Sequence, residues 1–339
     1  MKSSQCLTLL ALMGMSIAFP FPGLHRPSKR QTLMDLNDVD IVNYALTLEH
    51  LEATFYHQGL TNFTHSDFTT AGFPDPFYPN LATIAAHEAA HVTFLTTALL
   101  ALNQTPVAAC TYSFNTPDPA TFIATAAIFE GIGVSAYLGA APQITDKAIL
   151  TAAGSILTVE ARHNAYIRAA ALAESPFPQT QDAPLTPDEV YTLASTFIAS
   201  CPASNPSIPL KAFPTLKVTT TAGGKVTSGQ VLDVETGDFE LVAKDAGAHL
   251  YAAFVSANGP VFATLEAGSA GTAEAAAVGH AFRVTVPEGV NGQSYLLLSN
   301  CNETVSDRTV VAGPTFVEAL ITNDPLSPAL VGARNSTLK

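Results

Sequence analysis

Five stretches of the chain repeat their apolar residues at helical spacing, and each is bounded by residues that start or stop helices. The first runs from about Leu36 to Leu60, with Asn37 and Asp38 as capping candidates and Gly59 near its end. The second, about Leu81 to Leu102, follows a Pro-rich loop from Phe73 to Pro79, which is expected to keep the residues before it out of helix. The third runs from Pro119 to about Ala140, before Pro142, and the fourth from about Thr145 to Glu174, where Ser175-Pro176 stops it. The fifth opens on Thr186-Pro187-Asp188-Glu189, in which Thr186 and Glu189 form a capping box and Pro187 suits the first helical position.

Beyond Cys201 the pattern changes. Pro202, Pro206, Pro209 and Pro214 mark a linker over 202–214, after which short runs of Val, Thr, Phe and Tyr alternate with Gly-rich turns. Candidate strands are Leu216 to Thr220, Leu250 to Val255, Val261 to Leu265, Phe282 to Val286 and Ser294 to Leu298. The expected architecture is mainly α: a helical bundle over 31–201, then a small β-sandwich-like domain over 215–320 and a tail over 321–339.

Composition adds where the chain works. With 47% hydrophobic and 13% charged residues it has ample material for a core. A net charge of −13 and a pI near 5.0, without any basic cluster, argue against nucleic acid or an anionic membrane as partner. Lys2, the apolar run Leu7 to Ala18 and the small-residue pattern Ser16-Ile17-Ala18 read as a secretory signal over 1–18. Lys29-Arg30 then reads as a dibasic cut, making 19–30 a candidate propeptide. Four glycosylation sequons, at Asn62, Asn103, Asn302 and Asn335, suit an extracellular product, secreted or retained in a cell wall. Cys110 is expected to pair with Cys201, since each follows a helix or interhelical turn of the helical part, leaving Cys301 over.

The chemistry sits on the helices. Glu88-Ala89-Ala90-His91 sets a carboxylate and an imidazole three residues apart, on one face and one turn apart, and Glu160-Ala161-Arg162-His163 repeats the arrangement on the fourth helix. One such pair is weak evidence of a metal site, and two copies are stronger. The first helix offers Glu49, with Glu52 one turn on as an alternative, and the third offers Glu130. Glu88 is the only charged residue between Leu81 and Leu102, and Glu130 the only one between Pro119 and Ala140, so both helices read as buried nearly all round. A buried carboxylate needs a positive partner. Neither stretch holds Lys or Arg, so a bound cation is the simplest compensator. Tyr56 reads as a core tyrosine; His57, His65, His249 and His280 fall outside both pairs and read as structural, while His50 and His87 adjoin site residues without an assignable part.

One Glu from each of two helices, with Glu-x-x-His from two others, is the pattern of di-iron and di-manganese carboxylate proteins. From about Asp35 to Cys201 the chain resembles the ferritin-like domain family, especially its secreted fungal branch of stress-response and late sexual development proteins, which is similar to plant desiccation-related proteins. The run Leu46-Thr47-Leu48-Glu49-His50-Leu51-Glu52-Ala53-Thr54-Phe55-Tyr56 carries that likeness most closely. The resemblance implies a ferritin-like four-helix bundle with an additional helix, and two iron or manganese ions as cofactors. Glu88 and Glu160 would bridge the ions, with Glu49, Glu130, His91 and His163 as terminal ligands and Tyr56 nearby. Two activities follow as expectations: oxidoreductase, iron or peroxide handling, or a non-enzymatic extracellular stress or development protein that uses the bundle as a scaffold. The long loop Thr61 to Asn80 with its sequon, and the added β-rich part, argue against a ferritin-type storage shell.

Overall fold

The computed structural model of the chain describes residues 36–220, 225–237, 241–242, 250–257, 259–267, 278–279 and 281–320. The expected signal, the dibasic cut, Asn335, His249 and His280 lie outside the described residues.

Each helix begins where its capping chemistry does. Helix α1 (Asp38–Asn62) starts at Asn37, whose side chain accepts the Val39 and Asp40 N–H groups while the Asp40 carboxylate accepts the N–H of Asn37. A short α2 (His65–Thr70), capped by Thr64, lies in the connection read as loop. Helix α3 (Phe77–Ala101) starts earlier than expected, because Pro79 falls in its first turn, where the missing N–H has no intrahelical partner to lose. Helices α4 (Pro119–Ala140) and α5 (Lys147–Ile167) are capped by Asp118 and Asp146. A single π-type turn, Arg168–Leu172, extends α5 and ends on Ala173 in the left-handed conformation, short of the expected Glu174. Helix α6 (Pro187–Ser195) opens on the Thr186/Glu189 capping box.

Helices α1, α3, α4 and α5 form the bundle, and its interior has three levels. At one end Phe55, Phe122, Phe129 and Phe114 pack ring on ring, with Phe55 and Phe122 stacked at 4.5 Å. Gly59 admits this packing, since a Cβ there would meet the Phe122 ring at 2.0 Å. The middle level carries the acidic residues, and the far end is lined by alanines. Helix α3 reaches the far end where α4 finishes, so the segment 103–118 must cross the length of the bundle to begin α4 at the aromatic end. Side chains of α1 hold that crossover: Asn43 Oδ1 accepts Val107 N–H at 2.9 Å, and His50 Nε2 lies 3.1 Å from the Val107 carbonyl. The Cys110–Cys201 disulfide and the pairing of β1 (Thr111–Tyr112) with β2 (Ile198–Ser200) tie it to the chain after α6.

The expectation that both apolar helices are buried all round needs correction for one of them. Both are long and apolar enough to cross a membrane by length and composition, yet 72% of the apolar window of α4 is buried inside the protein against 22% of that of α3. Along α3 only Phe77, Leu81, Ile84, Glu88, Leu95 and Leu99 are buried. Its outer face is built of alanine and threonine with Phe94 and Leu100 exposed. Lack of charge reports burial poorly in a face made of small residues.

The C-terminal part is one curled sheet of eight strands. These are β3 (Lys217–Val218), β4 (Lys225–Val226), β5 (Val231–Glu235), β7 (Tyr251–Ser256), β8 (Gly259–Ala267), β10 (Ala281–Thr285), β11 (Gly292–Ser299) and β12 (Val310–Ala319), in the order β3-β5-β10-β8-β7-β11-β12-β4. Two short strands, β6 (Leu241–Val242) and β9 (Val278–Gly279), pair separately. The pairing of β12 with β4 is parallel, and the other described pairings are antiparallel.

Burial explains the strand sequences. On β10, Phe282 and Val284 are buried while Ala281, Arg283 and Thr285 are exposed, the alternation of a half-buried strand. On β11, Leu296 and Leu298 fill the core inside the curl while Tyr295 and Leu297 join the core of the helical bundle. A strand buried on both faces reads as an unbroken apolar run. The long strand β12 escaped expectation because Gly313-Pro314 interrupts it. Pairing with β11 shifts register at that point, where a bulge tolerates proline.

Candidate metal centre

The middle level of the bundle collects five buried glutamates, Glu49 and Glu52 from α1, Glu88 from α3, Glu130 from α4 and Glu160 from α5. Against them stand His91 of α3 and His163 of α5. Regular helices make this convergence local: each Glu-x-x-His spacing aims two side chains one turn apart at the same axial height.

The donor atoms fall into two groups. Glu49, Glu88, His91 and Glu160 bring one atom each within 4.8 Å of one another, and so do Glu88, Glu130, Glu160 and His163. Glu88 and Glu160 belong to both. All six residues expected from the sequence are thus in one place. Glu52 is in neither group; its carboxyl lies beside that of Glu160, across Gly133.

The hydrogen bonding is one that protein atoms alone cannot complete. His91 Nδ1 lies 3.2 Å from Glu49 Oε2, 3.2 Å from Glu88 Oε2 and 3.3 Å from Glu160 Oε1, although an imidazole nitrogen carries at most one proton. His163 Nδ1 is likewise shared between Glu88 Oε1 at 3.0 Å and Glu130 Oε2 at 3.1 Å. The contacts to Glu160 Oε1 and Glu88 Oε1 are close but misaligned. Both of these atoms, and Glu160 Oε2, are buried without a hydrogen-bond partner. Carboxylate oxygens and imidazole lone pairs converging on common points, with too few protons between them, fit the donor set of a cation that favours oxygen and nitrogen ligands.

Protonation follows from the same crowding. Burial, and then repulsion from Glu88, lifts the Glu49 carboxyl to about 7 against the pull of His91 and Tyr137. Burial and neighbouring carboxylates push Glu52 and Glu160 well above their usual range, and burial raises Glu130 as well. Burial acts on Glu88 in the same direction, but its contacts with His163 and His91 outweigh it and hold that carboxyl at about 2. For the histidines burial favours the neutral ring. Contacts with Glu160, Glu49 and Glu88 nevertheless carry His91 to about 12, and contacts with Glu130 and Glu88 carry His163 to about 9. In the protein alone, then, protons stand where cations would.

Four supporting residues complete the centre. The Tyr137 hydroxyl donates to Glu49 Oε1 at 2.5 Å, and the Tyr56 hydroxyl donates to Glu130 Oε1 in a short bond, so each of these carboxylates is fixed from behind. His87 Nδ1 lies 3.0 Å from His163 Nε2 and orients that ring through the nitrogen facing away from the glutamates. Gly133 makes room, for a Cβ there would lie 2.7 Å from Glu160 Oε2. The sequence gives no sign of Tyr137, since a tyrosine in an apolar helix looks like core; Gly133, seven residues from the end of α4, is equally silent.

This fold and this site define a class. Residues 37–173 match the family model described as the ferritin-like domain. The chain is also similar to Protein rds1 of Schizosaccharomyces pombe, with 25% identity over 199 residues, covering 58% of this chain and 48% of that protein. The chain spans about half the length of the curated relative it matches.

Proposed function

We propose that this is a secreted ferritin-like protein that holds two iron or manganese ions in its bundle. The observation that carries the reading is the pair of four-residue donor groups sharing Glu88 and Glu160, closed in a core where five carboxylates face two imidazoles. Glu88 and Glu160, common to both donor groups, would hold both ions, Glu49 and His91 would hold one of them, and Glu130 and His163 the other. Two such ions side by side supply redox chemistry toward oxygen or peroxide. The chain's own part is to hold the six donors: Tyr137 and Tyr56 fix Glu49 and Glu130, His87 orients His163, and the aromatic level below excludes water.

Secretion and glycosylation belong to the same proposal. The Cys110–Cys201 disulfide suits an oxidising compartment, and Asn62, Asn103 and Asn302 are exposed where a glycan needs to be. A part in stress or development rests on the family resemblance.

Elemental analysis of the purified protein beside a Glu88→Ala/Glu160→Ala variant tests the reading. About two iron or manganese ions per chain in the wild type, lost in the variant, is the expected result. A wild type that arrives empty and takes up neither metal on reconstitution would overturn it, leaving the bundle as a non-enzymatic scaffold of the extracellular space or cell wall.

A further inference from the structure

Above the metal centre, at the end of the bundle opposite the aromatic level, lies a cavity of about 340 Å³. Its cause is legible in the residues. Ala45 of α1, Ala98 of α3, Ala136 and Ala140 of α4, and Ala152 and Ala153 of α5 all face it, so four helices each present a methyl group where a core normally receives longer side chains. Protein interiors pack to crystal density, with few voids larger than a water. An opening of this size among regular helices falls within the range of small-molecule sites, about 300 to 1,000 Å³.

The lining states the chemistry of the occupant. Ile41, Leu48, Leu95 and Ile149 add apolar walls, and polar side chains are few. Tyr137 gives its hydroxyl to Glu49, and the Asp146 carboxylate accepts the N–H groups of Ala148 and Ile149. The Tyr44 hydroxyl is buried without a hydrogen-bond partner, with Asp188 and Glu189 of α6 as its charged neighbours. A wall so largely apolar favours an apolar occupant. At the mouth Phe94 and Leu102 are 48% and 46% exposed, large apolar side chains placed where a ligand would slide past them. Along α1 the cavity extends from Ile41 to Leu48, about 10 Å of helix, which matches an extended chain of about eight methylenes.

We infer that this cavity binds a single alkyl or acyl chain, entered at Phe94 and Leu102 and closed at its inner end by Tyr137. The inference stands apart from the metal reading, since none of the walls named here is a proposed ligand.

Calorimetric titration of the full mature protein with decanol and with decanoate, and butanol as the short-chain control, tests it. The expected result is one decanol or decanoate per chain, binding at least tenfold more tightly than butanol, with a melting temperature that rises with ligand concentration. Ala153→Phe and Ala98→Phe fill the space from two different helices and should each weaken binding at least tenfold while keeping the helical circular dichroism. If either filled variant fails to fold, Phe94→Glu decides at an exposed position, where a charge at the mouth should weaken binding several-fold. Absence of saturable binding by either ten-carbon probe overturns the inference. So does binding unchanged in the folded filled variants and in Phe94→Glu.

Discussion

Two of the charge clusters buried among the described residues are settled in opposite ways. In the bundle core five glutamates face two imidazoles, so full ionisation with both rings protonated leaves a charge of 2 − 5 = −3. At the seam between the end of α5 and the sheet, Arg168 donates from Nη1 and Nη2 to the two oxygens of Glu318 at 2.9 and 2.8 Å, and from Nε to the Ser175 carbonyl at 2.8 Å. Glu174 lies 3.4 Å from Arg168 and 2.8 Å from Lys225, so in direct contact two cations meet two carboxylates and their charges cancel, with Asp182 a further neighbour of Arg168. The seam carries its compensation within the chain. The bundle core does not: there carboxyls are pushed upward and oxygens of Glu88 and Glu160 lack partners, whereas Glu318 at the seam, also raised by burial, has both oxygens bonded to Arg168. Burial alone therefore does not mark a site, and neither does one raised carboxyl, since buried Glu189 titrates near 7 beside Asp188 and Asp307; a deficit shared by converging donors does.

The comparison breaks most visibly at the seam. Arg168→Met strands Glu318 and Glu174 without their guanidinium and is expected to cost about 3 to 5 kcal/mol in denaturant unfolding. Adding Glu318→Leu to Arg168→Met should recover most of that loss, because a closed pair can be traded for apolar packing. A single variant as stable as wild type would mean that Lys225 compensates both carboxylates.

A smaller effect, opposite in kind, is expected from pH in the metal-free bundle. Glu49 titrates near 7 in the fold against 4.5 for its ordinary value, so the folded protein binds more protons than the unfolded chain between those values. Stability from this group is full below about pH 4.5 and is lost as pH rises through 7, by about 3 kcal/mol at most. Glu52, Glu130 and Glu160 are raised and act in the same direction. The histidines add to it above pH 6.5, since His163 loses its stabilising proton as pH passes about 9. Glu88, held near 2, opposes the trend only in strong acid, below about 4.5. Metal-free protein should therefore resist denaturant better at pH 5 than at pH 8. Metal-loaded protein should show the reverse, because protons compete for its ligands. The same pH slope in both forms would remove the metal from the account of these carboxylates.

Glu160→Gln separates the two states further. It removes a carboxyl that the metal-free fold keeps only by holding a proton on it, so at pH 8 the metal-free variant should gain about 1 to 3 kcal/mol over wild type while metal uptake falls. Denaturation of both proteins in chelator, with elemental analysis alongside, reads the two changes.

How much of this was legible along the chain depends on range. Glu88 with His91, and Glu160 with His163, announce themselves because a helix turns spacing in sequence directly into spacing in the core. The sparse charge of α3 and α4 singled out Glu88 and Glu130 for the same reason. Thr186 and Glu189 show a capping box at once, and the family likeness of the first helix ordered the ligands. Glu318, by contrast, meets Arg168 across 150 residues, and nothing near either residue reports the other. Strand β12 hid behind Gly313-Pro314, and β11 hid its two-sided burial in a plain leucine run. The exposure of α3 was misread because alanine satisfies solvent and core alike; the same indifference opens the alkyl-sized cavity beside it.

The finest test concerns what holds the carboxylates still. Tyr137 gives Glu49 a hydrogen bond from the side away from His91, and Tyr137→Phe removes only that oxygen. Unfolding of the metal-free variant should change by about 1 kcal/mol, the net worth of one such bond. Metal affinity should fall further, about 10- to 100-fold, because a ligand that can swing pays for its ordering when the ion binds. Tyr56→Phe should do the same through Glu130, and titration with iron or manganese against a competing chelator reads both. At the seam the matching fixture is the Ser175 carbonyl on Arg168 Nε, a backbone group that no substitution removes. A Tyr137→Phe protein that binds metal as tightly as wild type would mean that packing alone orients Glu49, and the bundle core would then resemble the seam more closely than its charge deficit suggests.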